Sequence, residues 1–182
     1  MKIIETGFKG LQIIRPKVYA DPRGYFFESY NQSVLLNAGI NFMAVQDNES
    51  KSAKGVIRGL HYQLNPYSQS KLIRVIQGKI FDVALDIRSE SLTFGKWFGI
   101  ELNSDTKEQF LIPAGFAHGF SVLSDTAIIQ YKCDRFYNPE YERGISIKDP
   151  ELDINWQIGS MEPVISDKDL KQPLFKDAEF NF

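Results

Sequence analysis

Hydrophobic and polar residues alternate most clearly in KLIRVIQGKIFDVALDIR, residues 71–88. Phe81, Val83, Leu85 and Ile87 are separated by Asp82, Ala84 and Asp86. A period of two predicts strand with one buried face, because successive side chains leave a strand on opposite sides. The QGK between the two halves predicts a turn, so the segment reads as a hairpin. Shorter β-rich runs recur at 11–19, 25–30, 43–47, 56–63, 97–102, 108–112, 119–123, 126–133 and 144–148. Two stretches read as helix. NQSVLLNAG offers Asn31 or Ser33 as N-cap and Gly39 as closing residue, and SDKDLKQ offers Ser166 as the cap of a second short helix. Many short strands with frequent turns predict an all-β sandwich or barrel, with a few short helices added to it.

Composition narrows the class. The chain has 182 residues, with no linker, repeat or low-complexity tract, and reads as one domain over 1–182. Its 43% hydrophobic and 24% charged residues are ordinary for a globular protein. A net charge of −2 supplies no global basic field, so neither nucleic acid nor an anionic membrane is an expected partner. Any anionic ligand must be caught by a local cluster. Cys133 is the single cysteine, so no intrachain disulfide forms. MKIIETGFKG lacks the apolar run of a signal peptide, and no later segment is long enough to span a membrane. The expected location is the cytoplasm.

Polar side chains set among glycines and apolar residues are the candidates for chemistry. DPRGYFFE gives Arg23 and Glu28, VQDNESKS gives Gln46, Asp47 and Asn48, and VIRGLHYQ gives Arg58, His61 and Gln63. Lys71 opens the strongest strand, and IPAGFAHGF gives His118. Tyr131, Lys132, Tyr137 and Glu142 follow in IIQYKCDRFYNPEYERG, and Lys168 and Asp169 in SDKD. Each has a plainer reading. A strand arginine ordinarily faces solvent, a lone histidine is more often structural than catalytic, and a strand tyrosine is ordinarily core. For Asp169, at a helix start, the plainer reading is service to the helix dipole alone. The case rests on how many of them fall together.

A metal site is the first possibility. Pro113, Gly115 and His118 have the Pro-x-Gly-x-x-His spacing that resembles the second motif of metal-binding cupins. The first cupin motif supplies a His-x-His pair and a glutamate. Here Gln63 stands where the second histidine belongs, and no glutamate follows within the next ten residues. A catalytic transition metal generally needs three good protein ligands, so none is expected. Without metal, His61 is suited to general-base chemistry near neutral pH. Removal of a carbon-bound proton then needs a carboxylate to orient the base, for which Asp169 is a candidate beside Asp167. It also needs a cation such as Lys71 for the enolate, and a separate acid, such as a tyrosine, on the opposite face.

DPRGYFFE, VQDNESKSAKGVIRGLHYQ, KLIRVIQGKIFDVALDIR, TFGKWFG, IPAGFAHGF, QYKCDRFYNPEYERGI and SDKD together closely resemble the dTDP-4-dehydrorhamnose 3,5-epimerase family. The likeness runs from about residue 10 to 175. It implies a cupin-type jelly roll (a double-stranded β-helix), a homodimer, and a reaction without metal or organic cofactor. The implied substrate is a dTDP-4-keto-6-deoxy hexose, inverted at C3 and C5, the two carbons that flank its ketone. By motif position His61 is the base, Asp169 its orienting partner, Tyr131 the acid, and Lys71 the holder of the C4 oxygen. Arg23 and Arg58 match diphosphate contacts, where guanidinium offers paired donors. Tyr137 matches a thymine-stacking residue, and Glu28, Gln46, Asp47, Asn48, His118, Glu142 and Lys168 match other ligand contacts. Relatives on this scaffold that invert only C3 or only C5, or that move the ketone, are the alternative. In strand parity Arg58 and His61 point to opposite faces, so the strand must begin after Arg58 or twist near Gly59.

Overall fold

Two antiparallel sheets face each other, and most successive strands pass from one to the other. The structure, a computed structural model, describes all of residues 1–182. The chain runs β1 (Lys2–Glu5), β2 (Gln12–Arg15), β3 (Tyr19–Asp21), β4 (Gly24–Phe26), α1 (Gln32–Asn37), β5 (Gln46–Ala53), β6 (Ile57–Gln63), β7 (Lys71–Gln77), β8 (Lys79–Asp86), β9 (Trp97–Asn103), β10 (Gln109–Ile112), β11 (Phe116–Val122), β12 (Thr126–Cys133), β13 (Glu142–Gly144) and α2 (Asp167–Leu170). One sheet has the order β1-β2-β10-β7-β12-β5 and the other β13-β6-β11-β8-β9. β3 and β4 pair only with each other. From β5 to β8 and from β9 to β13 each strand changes sheet, which is the winding of a double-stranded β-helix, the cupin-type jelly roll.

Residues 71–88 therefore do not form a hairpin. β7 and β8 belong to different sheets, and the turn between them crosses the sandwich at Gly78 (φ +81°). A Cβ there would meet the Thr126 carbonyl oxygen at 2.1 Å. Nor is only one face of β8 buried. Ile80 and Ala84 pack between the sheets with Ile73, Phe110, Phe116 and Ile129. Phe81, Val83 and Leu85 pack on the outer face, under Ile145, Ile147, Leu152 and Trp156. The C-terminal segment from Ile145 onward covers that face, with Phe175, Phe180 and Phe182 lying against it. Each fully buried side chain of this kind contributes about 1.5–3 kcal/mol.

α1 starts at Asn31, whose side chain accepts the Val34 N–H, and Gly39 (φ +81°) follows its end. α2 starts at Ser166, whose hydroxyl accepts the Asp169 N–H. The run at 126–133 coincides with β12, while the run at 144–148 mostly follows β13. β5 extends well beyond the expected 43–47. QDNESKSA carries no apolar stripe because it is the edge of its sheet, with alternate residues exposed.

Candidate active site

β6 supplies the first functional side chains, and a bulge aligns them. β11 pairs His118 with His61 and Phe120 with Arg58, so three steps along β6 match two along β11. The irregularity falls at Gly59 (φ +131°). A Cβ at Gly59 would lie 2.5 Å from Gly119 Cα and 2.9 Å from the His118 carbonyl oxygen, so only glycine fits. Arg58 and His61 consequently line one cavity despite their parity.

α2 delivers the partner of His61. Asp169 Oδ1 lies 2.7 Å from His61 Nε2, and Oδ2 accepts the Gly59 N–H at 3.4 Å. Asp169 is 4% exposed and His61 30%. Burial alone would raise the Asp169 carboxyl, but the hydrogen bond and charge of His61, with the Gly59 and Ser166 contacts, hold it below the ordinary carboxylate range. Asp167, the other candidate, is exposed to solvent.

The opposite sheet supplies Lys71 at the start of β7 and Tyr131 near the end of β12. Burial pushes the Tyr131 hydroxyl above the ordinary tyrosine range, so it keeps its proton at neutral pH. Burial pulls the Lys71 ammonium down, against the opposing influence of Cys133, Asp82 and Glu142. Lys71 forms no ion pair.

These groups converge. A cavity of about 550 Å³ between the sheets is lined by Arg58, His61, Lys71, His118, Tyr131, Lys168 and Asp169, with Phe120 and Ile129 as its apolar wall. An adjoining recess of about 110 Å³ shares His61, Lys71 and Tyr131 and adds Gln46, Asn48, Tyr137 and Glu142. Glu142 Oε2 binds the Lys168 ammonium at 2.6 Å and accepts the Tyr137 hydroxyl at 2.6 Å. The hydrogen bond to that carboxylate pushes the Tyr137 hydroxyl up to about 12.

Three expected ligand contacts are not brought together with the rest. Asp47 alternates with Gln46 and Asn48 along β5 and points the other way, bonding Lys132 at 2.6 Å. Arg23 sits on the turn between β3 and β4, paired with Asp21, with its side chain 90% exposed. Glu28 lines a separate hollow with Tyr30 and Leu35 and accepts from Asn31. One interior group escaped the reading of the sequence. Asp82 lies 2.6 Å from His118 Nε2, but its place in the alternation of β8 marked it as an outward polar residue.

A jelly roll with a carboxylate-bound imidazole on one wall of its cavity, and a lysine and a protonated tyrosine on the other, defines a class of sheet-enclosed acid–base sites. The model of the dTDP-4-dehydrorhamnose 3,5-epimerase family matches residues 5–177. The chain belongs to that family. It is 50% identical over 181 residues to the dTDP-4-dehydrorhamnose 3,5-epimerase of Shigella flexneri, covering 99% of both chains. It is also similar to the crystal structure of the enzyme of that name from Elizabethkingia anophelis NUHP1, with TM-score 0.92, 48% identity and 97% of each chain covered. The dTDP-6-deoxy-D-glucose-3,5-epimerase from Legionella pneumophila Philadelphia 1, solved with dTDP-4-keto-L-rhamnose, gives TM-score 0.90 and 48% identity, over 95% of this chain and 92% of that one.

Proposed function

We propose that this chain converts dTDP-4-dehydro-6-deoxy-D-glucose into dTDP-4-dehydro-L-rhamnose by inverting C3 and C5. The observation that carries the reading is the placement of His61, held by Asp169 at 2.7 Å, in one cavity with Lys71 and Tyr131 from the opposing sheet. The C4 ketone acidifies the hydrogens on both neighbouring carbons. His61 removes one of them, and the electron pair moves onto the C4 oxygen to give an enolate. The Lys71 ammonium stabilises that oxygen as it gains charge. Tyr131 returns a proton to the opposite face of the same carbon, and the configuration inverts. Repetition at the second carbon uses the same groups.

Arg58 and Lys168 offer local positive charge for the diphosphate, which reconciles an anionic ligand with a net charge of −2. Tyr137, half-exposed beside Gln46 and Glu142, is placed to stack on the thymine, with Asn48 and His118 as further contacts. Arg23 and Glu28 lie outside the cleft of their own chain, so their ligand contacts require a partner subunit. The β3–β4 hairpin fits that role. Its Tyr25 and Phe26 are 60% and 66% exposed, and no other strand of this chain pairs with it. The protein on this reading is a homodimer of one-domain chains. No helix is long and apolar enough to cross a membrane. The single buried cysteine needs no oxidising compartment, and the proposed location is the cytoplasm.

Incubation with dTDP-4-dehydro-6-deoxy-D-glucose, followed by proton NMR, tests the reading. Appearance of the L-rhamno product is expected, and an unchanged substrate would remove the assignment.

A further inference from the structure

Asp82 lies in the middle of β8 on the face it shares with Ile80 and Ala84, toward the space between the sheets. It is 0% exposed. His118 Nε2 approaches Oδ1 at 2.6 Å, while Oδ2 is buried with no hydrogen-bond partner at all. No other buried side-chain polar atom in the chain is left in that state. Such oxygens are nearly always satisfied, because taking one out of water without a partner costs free energy. Other buried carboxylates in the chain follow the rule. Asp86 is bound by Arg88, Ser91 and Thr93, and Asp149 by the backbone amides of Glu151, Leu152 and Phe175.

A cation without a partner enters the same interior from the other sheet. Lys71 lines both compartments of the site and forms no ion pair with any carboxylate. The groups that favour its charge are Cys133, Asp82 and Glu142. Cys133 stands opposite Lys71 in the β7–β12 ladder, but burial pushes its thiol up to about 11, so it is neutral at working pH. Glu142 on β13 is already bound by Lys168 and Tyr137, and Asp169 on α2 by His61. The other ionisable groups that line the cavity are Arg58, Lys168, the imidazoles of His61 and His118, and Tyr131. Asp82 is the anion left over.

We infer that Asp82 is a positioning residue for this reaction: anchored by His118 through one oxygen, it directs the charge of the other at the interior and holds Lys71 as an ammonium beside the substrate. Asp82 lines neither compartment, so it acts through Lys71 and His118 and not by touching the sugar. The inference rests on the reading of Lys71 as the group that stabilises the C4 oxygen. A neutral amine in that place would lack the charge the enolate needs.

Asp82→Asn keeps an acceptor for His118 and removes the charge. Two readouts test it: the pH dependence of kcat, and the titration of Lys71 followed by NMR of protein carrying 13Cε-lysine, with the resonance assigned from Lys71→Met. In Asp82→Asn both the Lys71 titration and the alkaline limb of kcat move to lower pH by about one unit. Asp82→Glu, which keeps the charge, recovers most of that shift. A Lys71 titration unmoved in Asp82→Asn overturns the inference. Should Asp82→Asn fail to fold, the wild-type protein decides. Lys71 present as an ammonium at the pH of maximal kcat is expected, and a neutral amine at that pH overturns the inference. Full activity in Lys71→Met would instead overturn the reading of Lys71 itself, an outcome no titration of Lys71 can mimic.

Discussion

His61 and His118 stand directly opposite one another in the β6–β11 ladder, and a different aspartate holds each through Nε2. The two pairs are not equivalent. The His61 side chain is 30% exposed and opens onto the cavity, whereas that of His118 is 9% exposed and set into its wall. On the proposed mechanism, that difference in accessible area is why His61, and not His118, is assigned to the reacting carbon. With Nε2 of His61 committed to Asp169, Nδ1 is the nitrogen left to take a proton.

His61→Ala is expected to abolish both substrate deuterium exchange and product formation. Asp169→Asn leaves the imidazole without its orienting charge, and kcat should fall about 10²- to 10⁴-fold. Steady-state kinetics on both variants check this, and near-normal turnover in either removes that residue from the mechanism.

Tyr131→Phe separates the two halves of an inversion. Net inversion should fall about 10²- to 10⁴-fold, while proton loss from the substrate on the His61 side suffers less. Comparing solvent-deuterium incorporation with product formation in one NMR time course distinguishes the two rates. Equal loss of both would place Tyr131 outside the acid role.

Parts of this arrangement are readable in the sequence, and the boundary has physical causes. Apolar runs marked β12 and β6, and the caps Asn31 and Ser166 marked both helices, because those signals are local. β5 was understated because an edge strand has no need of an apolar stripe. β8 looked one-sided because Asp82 and Asp86 interrupt its second face. Both are buried, one against His118 and the other against Arg88. His118, 36 residues from Asp82, leaves no trace in a local pattern, whereas Arg88 stands only two residues beyond Asp86 and the strand alternation masks the pair. The motif resemblance named His61, Lys71, Tyr131 and Asp169 together, and all four line one cavity. Arg23, Glu28 and Asp47 came with the same motifs, yet alternation along β5 and the exposed β3–β4 turn set them apart in the single chain.

Gly59→Ala should destabilise the protein and damage the site together. The new Cβ would meet Gly119 Cα at 2.5 Å and the His118 carbonyl oxygen at 2.9 Å, at a φ of +131°. A strained backbone of this kind costs roughly 1–3 kcal/mol, before any clash. Urea denaturation measures the loss. Wild-type stability and turnover in the variant would contradict the assignment of the bulge to Gly59.

The Asp169 carboxyl is held below its ordinary range in the folded chain. A group depressed in this way stabilises the fold above its unfolded value, near 4, and loses that contribution as pH falls through the lower folded value. Wild type should therefore exceed Asp169→Asn in stability at neutral pH, with the gap closing only below about pH 4. Urea midpoints for both proteins between about pH 3 and pH 7 check the sign. A gap that widens on acidification would contradict it.

The most direct measurement is incubation of the wild-type protein with dTDP-4-dehydro-6-deoxy-D-glucose in D2O, with deuterium followed by NMR at each ring carbon. One base and one acid that face each other across a shared ketone predict exchange at both C3 and C5. Exchange at a single carbon would contradict inversion at both centres, and exchange at neither would contradict the assignment of His61 as the base.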